Sequence, residues 1–277
     1  ATDETAPSVA GLEVVDLGGK RLIPGLIDGH AHVTGGGGEG GFATRVPPVS
    51  LSRFTTAGVT TVVGVLGTDD LARTPGELLA SVYALREQGL GAFAWCGGYH
   101  LPPVTLTGSV RGDIVYLDPV IGVGELAISD HRSSQPTFDE FVRVASEAHV
   151  AGLMSGKAGV LHLHLGDGVR GLELVRRALD ETELPARVFH PTHINRRKAL
   201  FEEALALARR GCAVDITAFP VEDGEDAWSA AEAWERYHAS GASAERLTIS
   251  SDAGGCLPTF DHDGRLCKMG VGSAHAL

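Results

Sequence analysis

The feature that most restricts the fold of this chain is a repeated alternation of strand-like and helix-like segments after residue 50. The strand-like segments are short, nearly continuous apolar runs, such as residues 59–67 (VTTVVGVLG) and 119–129 (PVIGVGELAIS). Helix-like segments such as residues 74–89 separate them. This order is typical of parallel strands covered by helices. About eight strand candidates follow residue 25, which favours an α/β fold closed into a (β/α)8 TIM barrel over an open sheet.

Local signals add predictions at the ends of elements. Thr137 and Glu140 have the spacing of a capping box, so we expect a helix to begin just after Thr137. Asn195 is expected to be the N-cap of the helix that follows it. Residues 14–24 (VVDLGGKRLIP) are rich in β-branched and aliphatic side chains, which predicts a further strand.

Composition argues against several classes of function. The net charge of −12 is unsuited to a surface that binds nucleic acid or an anionic membrane. We find no apolar run of transmembrane length and no signal peptide. The four cysteines are scattered and form neither a C-x-x-C pair nor a dense disulfide framework. We therefore expect a cytoplasmic protein without nucleic-acid or membrane partners.

Two histidines follow the first predicted barrel strand, in the stretch GLIDGHAHVTGGGGEGG. His30 and His32 are two residues apart, so in a strand both side chains project to the same face. Two converging imidazoles suit a metal ion such as zinc. The alternative is one core histidine and one surface histidine. The glycines that follow lack the G-x-G-x-x-G spacing of a dinucleotide loop and instead permit close backbone approach to a ligand.

Other polar residues fall at the ends of successive predicted strands. In barrels of this kind, the C-terminal ends of the strands form the catalytic face. Any one such histidine could be an ordinary structural residue, but six possible ligands at one rim predict a binuclear metal site. These six residues are His30, His32, Glu125, His164, His193 and Asp252.

With these residues in this order, the chain resembles the amidohydrolase superfamily, and within it the bacterial isoaspartyl dipeptidases (β-aspartyl peptidases). The resemblance is carried, in order, by GLIDGHAHVTGGGGEGG, GVLGTD, GGYH, TGSV, AISDHRSSQP, HLGD, PTHINR and SSDAGG. It implies a distorted (β/α)8 barrel with a small β-sandwich, two zinc ions per chain and a homo-oligomer. It also implies hydrolysis of β-aspartyl dipeptides, whose peptide bond is formed by the side-chain carboxyl of aspartate.

The resemblance also implies a role for each candidate ligand. His30, His32 and Asp252 would bind one zinc ion, whereas His164 and His193 would bind the other. A further histidine, His162, lies two residues before His164 and is interpreted as a buried barrel residue.

Glu125 departs from the pattern of many family members, which have a carboxylated lysine at this position. A glutamate carries its own carboxylate and can bridge two metal ions without modification. Its side chain is shorter than that of lysine, so we expect the backbone position to compensate, through the flanking Gly122 and Gly124.

The predicted chemistry follows from two close metal ions, which stabilise a bridging hydroxide at neutral pH. Asp252 would take a proton from this nucleophile and deliver it to the departing amine. Tyr99 resembles the family tyrosine that donates a hydrogen bond to the scissile carbonyl oxygen. The alternative for Tyr99 is an ordinary aromatic residue at the rim.

The resemblance further implies a set of substrate-binding residues. Glu39 would pair with the free α-ammonium group of the isoaspartyl residue. Gly37, Thr68 and Cys256 would hold its α-carboxylate, although cysteine replaces the usual serine and is a weaker hydrogen-bonding partner.

Arg132 and Arg196 would bind the C-terminal carboxylate of the dipeptide, a task suited to guanidinium groups. The alternative for both is an ordinary surface arginine. Other functions remain open, namely an N-acyl-amino-acid deacylase, a dihydroorotase-like cyclic amidase or a non-catalytic scaffold. The family pattern predicts a truncated chain. Residues 1–22 would be a remnant of the sandwich, and residues 23–277 a barrel without its C-terminal part.

Overall fold

The computed structural model describes residues 10, 11, 13–260 and 266–277. Eight short strands surround the interior, in the order in which they occur along the chain. The first six form one parallel sheet, and the last two form a parallel pair. The strands are β1 (Leu26–Ala31), β2 (Val59–Gly64), β3 (Gly91–Cys96), β4 (Val120–Ile128), β5 (Val160–Leu165), β6 (Phe189–Thr192), β7 (Val214–Thr217) and β8 (Leu247–Ser250).

The residues after β8 return to β1 and complete the ring of strands. The His32 amide donates to the carbonyl of Ala253 at 2.7 Å, and the Asp252 amide donates to the carbonyl of His30 at 3.1 Å. Ala31 and Ala253 form a parallel bridge. Between β6 and β7 the connection is made in part by side chains, because the Thr192 hydroxyl donates to Asp215 at 2.7 Å. The predicted α/β barrel, distorted from ideal (β/α)8 regularity, is confirmed.

Helices cover the outside of the barrel, where their apolar faces pack on the strands. Buried side chains such as Phe141 on a helix and Phe189 on a strand belong to one continuous hydrophobic core. None of the helices in the described ranges is long and apolar enough to cross a membrane. The helices are α1 (Leu51–Thr55), α2 (Pro75–Glu87), α3 (Val110–Tyr116), α4 (Phe138–Ser155), α5 (Glu173–Glu181), α6 (Lys198–Arg209) and α7 (Ala230–Ala239).

An antiparallel hairpin that the sequence did not predict follows the eighth strand. It consists of β9 (Cys256–Phe260) and β10 (Leu266–Val271). The backbone of Gly272, just after β10, bonds to both Gly254 and Gly255. These contacts hold the hairpin against the loop that carries Asp252. The hairpin therefore forms part of the rim on which the candidate site lies.

The predicted capping box is confirmed, but the prediction for Asn195 is wrong. Thr137 and Glu140 make the reciprocal side-chain to backbone bonds at the start of α4. The N-cap of α6 is Arg197, whereas Asn195 lies in a preceding 3-10 turn. The buried Asn195 amide instead bonds across the barrel wall, donating to the carbonyls of Thr217 and Trp228 at 3.0 and 2.8 Å. Its oxygen accepts from the Thr217 amide at 2.9 Å.

This arrangement predicts that Asn195→Ala lowers the free energy of unfolding by roughly 2–4 kcal/mol. The substitution leaves buried backbone groups of Thr217 without partners, and each such loss costs about 1–3 kcal/mol. Urea unfolding of the two proteins measures the difference. Thr137→Ala, which removes an exposed cap, is the comparison and should cost only about 1 kcal/mol. An Asn195→Ala protein as stable as wild type would show that the amide does not hold the barrel wall together.

The strand predicted over residues 14–24 is not formed. Residues 13–25 contain no helix or strand, and the side chains of Val14, Leu22 and Ile23 are exposed. The physical reason is that no described strand runs beside this segment, so its backbone has no partner with which to form a ladder. The division into a sandwich remnant at residues 1–22 and a barrel at residues 23–277 stays a prediction.

Candidate active site

Six side chains converge at the carboxyl ends of the barrel strands. All are at most 9% exposed, and all were predicted as metal ligands. His30 lies on β1, Glu125 on β4 and His164 on β5. His32 and His193 directly follow β1 and β6, and Asp252 lies two residues after β8. The full group is His30, His32, Glu125, His164, His193 and Asp252.

The Glu125 carboxylate lies at the centre of this group. Its Oε1 is 3.5 Å from Nε2 of His32. Its Oε2 is 3.2 Å from Nδ1 of His164, 3.5 Å from Nε2 of His30 and 3.7 Å from Nε2 of His193. One carboxylate is therefore surrounded by a ring nitrogen from each of four histidines, as a bridging ligand would be.

Asp252 forms the other side of the cluster. Its Oδ1 is 3.1 Å from Nε2 of His32 and 3.5 Å from Nε2 of His30. Asp252 has a left-handed backbone, with φ of 52°, which turns the chain sharply after β8. Five of the six candidate ligands form two groups that share His30, each with its ligand atoms within 4.8 Å of one another, and His164 is in neither group. One group is His30, His32 and Asp252, and the other is His30, Glu125 and His193.

Several polar atoms in the cluster are buried without a hydrogen-bonding partner. They include Nε2 of His30, Oε1 of Glu125 and Oδ1 of Asp252. A buried polar atom without a partner is costly, and most such atoms in folded proteins are satisfied. These atoms converge, and imidazole nitrogens with carboxylate oxygens are the ligands that zinc prefers. The cluster therefore fits a divalent metal ion.

The charges in the cluster support this interpretation. Burial opposes ionisation of Glu125 and Asp252, but the neighbouring histidines hold the pKa of both carboxyls well below the usual range. Burial likewise opposes charging of His30, yet the negative charge of Glu125 and Asp252 raises the pKa of its imidazole to about 9. The proton on His30 neutralises part of the negative charge of Glu125 and Asp252. A bound metal cation would neutralise this charge in its place.

Gly124 allows Glu125 to reach the centre of the cluster. Its φ is +154°, and a Cβ at this position would lie 2.5 Å from the carbonyl oxygen of His162 on β5. Only a glycine lets the two strands approach this closely. The close approach supports the expectation that backbone position compensates for the short glutamate side chain.

His164 presents Nδ1, not Nε2, to the cluster. Its Nδ1 is 2.7 Å from the Tyr99 hydroxyl and faces Glu125, whereas its Nε2 is 3.0 Å from Oδ2 of Asp130. Metal-ligating histidines commonly direct their second nitrogen to a carboxylate in this way, which fixes the ring. The sequence analysis missed Asp130. The only signal was its place between the predicted strand and Arg132 in the SDHR motif.

Tyr99 lies beside the cluster with its hydroxyl directed inward. Burial raises the pKa of this phenol well above its usual value, and the negative charge of Glu125 adds to the effect. The side chain therefore keeps its proton across the physiological range. A neutral, buried phenol is a hydrogen-bond donor suited to an oxygen atom that becomes negative during a reaction.

A cavity of about 420 Å³ opens directly above the cluster. It brings together residues predicted to bind the substrate or act on it, which come from six separate parts of the chain. The cavity is also lined by residues that were not predicted from the sequence. A single aromatic, proline or acidic residue carries no sequence signal that it lines a cavity. The predicted members are Gly37, Glu39, Thr68, Tyr99, Arg132, Arg196 and Cys256, and the others include Asp130, Phe219, Pro220, Glu225 and Leu257.

Glu39 is the charged centre of one side of this cavity. Its carboxylate accepts from the Thr68 hydroxyl at 3.1 Å and from the Cys256 thiol at 3.0 Å, and it lies 3.3 Å from Nη1 of Arg132. Burial opposes its ionisation, but these donors and the Arg132 charge lower the pKa of Glu39. Glu39 is therefore a carboxylate at neutral pH, and it faces a space large enough for a small ligand.

The two predicted arginines are held in different ways. Arg132 donates from Nε and Nη2 to Asp130 at 3.1 and 2.7 Å, so a carboxylate fixes its guanidinium. Arg196 donates to the carbonyl of Leu165 at 2.5 Å and lies 3.5 Å from the largely exposed carboxylate of Asp167. Both guanidiniums line the cavity, where they can receive an anionic group of a ligand.

Comparison with solved structures identifies relatives of this chain, whereas no protein-family model matches it. A β-aspartyl dipeptidase from Fervidobacterium islandicum AW-1, in complex with the β-Asp-Leu dipeptide, is 47% identical over 91% of this chain, with a TM-score of 0.87. A second structure of a β-aspartyl dipeptidase from that organism is 44% identical over 92%, with a TM-score of 0.82. The chain spans 65% of the length of each.

A more distant structure has the same fold. A mutant organophosphorus hydrolase from Deinococcus radiodurans is 19% identical, with a TM-score of 0.54 over 87% of this chain and 80% of that protein. The resemblance inferred from the motifs is confirmed. Over the part of those proteins that it spans, this chain is similar in sequence and structure to the β-aspartyl dipeptidases.

Proposed function

We propose that this protein is a metal-dependent hydrolase that cleaves β-aspartyl (isoaspartyl) dipeptides. The observation that carries the proposal is the ionised Glu39, which faces the same cavity as the six-residue metal cluster. An ionised carboxylate beside a hydrolytic centre can bind the free ammonium group of a substrate. The solved relative with a bound β-Asp-Leu dipeptide supports a substrate of this kind.

The cluster is proposed to hold two zinc ions per chain. His30, His32 and Asp252 would bind one ion, His164 and His193 the other, and Glu125 would bridge them. Bound zinc would supply Lewis-acid polarisation of the scissile carbonyl and a strong nucleophile at neutral pH. The buried atoms of the cluster that have no hydrogen-bonding partner support this assignment.

Two residues are proposed to act on the reacting atoms. Asp252 is ionised and lines the cavity beside the cluster, so it would accept a proton and later deliver it to the leaving amine. Tyr99 keeps its proton and can donate a hydrogen bond to the carbonyl oxygen as negative charge develops there.

The remaining cavity residues are proposed to select the substrate by its charges. Glu39 would bind the α-ammonium group, while Gly37, Thr68 and Cys256 would lie against the α-carboxylate. Arg132 and Arg196 would bind the C-terminal carboxylate of the leaving residue. Assembly into a homo-oligomer and location in the cytoplasm stay predictions from the sequence.

Glu39→Gln should reduce kcat/KM for β-Asp-Leu by ~10- to 150-fold, because a charge-assisted hydrogen bond is worth about 1.5–3 kcal/mol. N-acetyl-β-Asp-Leu lacks the ammonium group, so wild type should cleave it poorly and the variant should lose little more. Steady-state kinetics on both substrates, with the exposed Glu181→Gln as a charge-matched control, measures the difference. Equal fractional losses on the free and acetylated dipeptides would contradict the assignment of Glu39 to the ammonium group.

A further inference from the structure

A row of hydrogen-bonded side chains leads from the metal cluster into the barrel interior. Nδ1 of His30 is 2.8 Å from Nε2 of His162, and Nδ1 of His162 is 3.1 Å from Nδ1 of His190. Nε2 of His190 is 3.0 Å from the hydroxyl of Thr248, which donates to Asp215 at 2.5 Å. The row therefore connects His30 to a buried carboxylate on β7.

Two acceptors set the directions of the hydrogen bonds in the row, namely the Asp215 carboxylate and the backbone carbonyl of His190, whose oxygen is 3.1 Å from Nδ1 of His162. Thr248 has a single hydroxyl hydrogen and donates it to Asp215, so its oxygen accepts from Nε2–H of His190. A neutral His190 then has a bare Nδ1, which accepts from Nδ1–H of His162. His162 in turn has a bare Nε2, and this atom accepts from Nδ1–H of His30.

The surroundings of His162 hold its ring in place. Its imidazole is fully buried and stacks on the Trp95 indole, with centroids 5.0 Å apart and planes 17° apart. The Trp95 indole N–H also donates to the carbonyl of Gly29, directly before His30, at 3.1 Å.

We propose that His162 is a positioning residue that fixes the tautomer and ring orientation of His30, so that Nε2 of His30 is free to bind metal. The inference rests on the metal-dependent function proposed above. Outer partners of metal-ligating histidines act in this way, and their loss typically weakens metal binding. Here the partner is a second histidine whose own tautomer is set by the His190 carbonyl and, through Thr248 and His190, by Asp215 on β7.

The first test compares His162→Phe with His162→Gln. Phenylalanine keeps a ring against Trp95 but removes the acceptor, whereas glutamine keeps an acceptor near the position of Nε2. We expect zinc affinity, measured by titration against a chelator, to fall roughly 10- to 100-fold for the phenylalanine variant. The glutamine variant should recover most of the affinity. Wild-type affinity in a folded phenylalanine variant, or equal losses in both variants, would overturn the proposal.

The second test needs no variant and therefore does not depend on whether the substituted proteins fold. Two-bond ¹H–¹⁵N correlations of the wild-type protein report which nitrogen of each histidine carries hydrogen. We expect His162 to be the Nδ1–H tautomer, whether or not zinc is bound. An Nε2–H tautomer at His162 would refute the proposed row.

The two proposals fail in distinguishable ways. A wild-type protein that binds no zinc would refute the metal centre itself. Tight zinc binding by wild type, together with unchanged affinity in folded His162→Phe, would refute only the positioning role of His162.

Discussion

Asp252→Asn should lower kcat for β-Asp-Leu hydrolysis by about 10²–10⁴-fold, the usual contribution of a general acid–base group. The amide has nearly the same size as the carboxylate, so the turn after β8 and the bridge between Ala31 and Ala253 should persist. It cannot, however, take a proton from the nucleophile at neutral pH. Rates measured at saturating substrate and saturating zinc separate this loss from weakened binding.

The control is Asp167→Asn, which removes an acid from the cavity wall but not from the cluster. It should change kcat by much less, since the Asp167 side chain is 79% exposed and has no ligand role. A loss below about tenfold in Asp252→Asn would mean that another group moves the proton.

Glu125→Ala should abolish most of the activity because it removes the carboxylate proposed to bridge the two metal ions. Without Glu125, the ring nitrogens of His30, His164 and His193 face one another with no anion between them. Two bound cations would then lie close together without the carboxylate charge between them, which increases their Coulomb repulsion. Metal analysis of the purified variant should find less than two zinc ions per chain.

Glu125→Gln is the matched variant, since it keeps the size of the side chain and removes its charge. It should also lose metal, which would show that the charge and not only the volume matters. Circular dichroism of both variants checks that the barrel is formed. Full zinc content with full activity in either variant would contradict the bridging role.

Much of the site could be predicted because the fold sets where strand ends lie. Once the β/α alternation indicates a parallel barrel, residues that follow successive strands must meet at one rim. His164 and His193 are far apart in the sequence but neighbours in space for this reason. The i, i+2 spacing of His30 and His32 placed both rings on one face, where both meet Asp252.

Other features depend on contacts that no local pattern reveals. Asn195 has the sequence signal of an N-cap. However, β6 and β7 are not paired with each other, and the Asn195 side chain instead hydrogen-bonds to the buried backbone groups of Thr217 at the end of β7. His162 and Asp130 act through neighbours on other strands, so their roles appear only when the strands are assembled. Residues 14–24 have strand propensity, yet no described strand pairs with them.

The charges around the cluster are proposed to select the isoaspartyl linkage. In β-Asp-Leu the scissile carbonyl belongs to the side chain, so the α-ammonium can meet Glu39 while the carbonyl faces the metal cluster. In α-Asp-Leu the scissile carbonyl is the α-carboxyl carbon itself. The proposed contacts of the α-carboxylate with Gly37 and Thr68 would then be lost when this carbonyl faces the metal cluster.

The most direct measurement is kcat/KM of the purified, zinc-loaded protein for β-Asp-Leu and α-Asp-Leu, with a chelator-treated sample as the control. We expect ready cleavage of the β-linked dipeptide, very poor cleavage of the α-linked one, and loss of both after chelation. Comparable rates on the two dipeptides would contradict the proposed substrate, and cleavage that survives complete removal of metal would contradict the proposed centre.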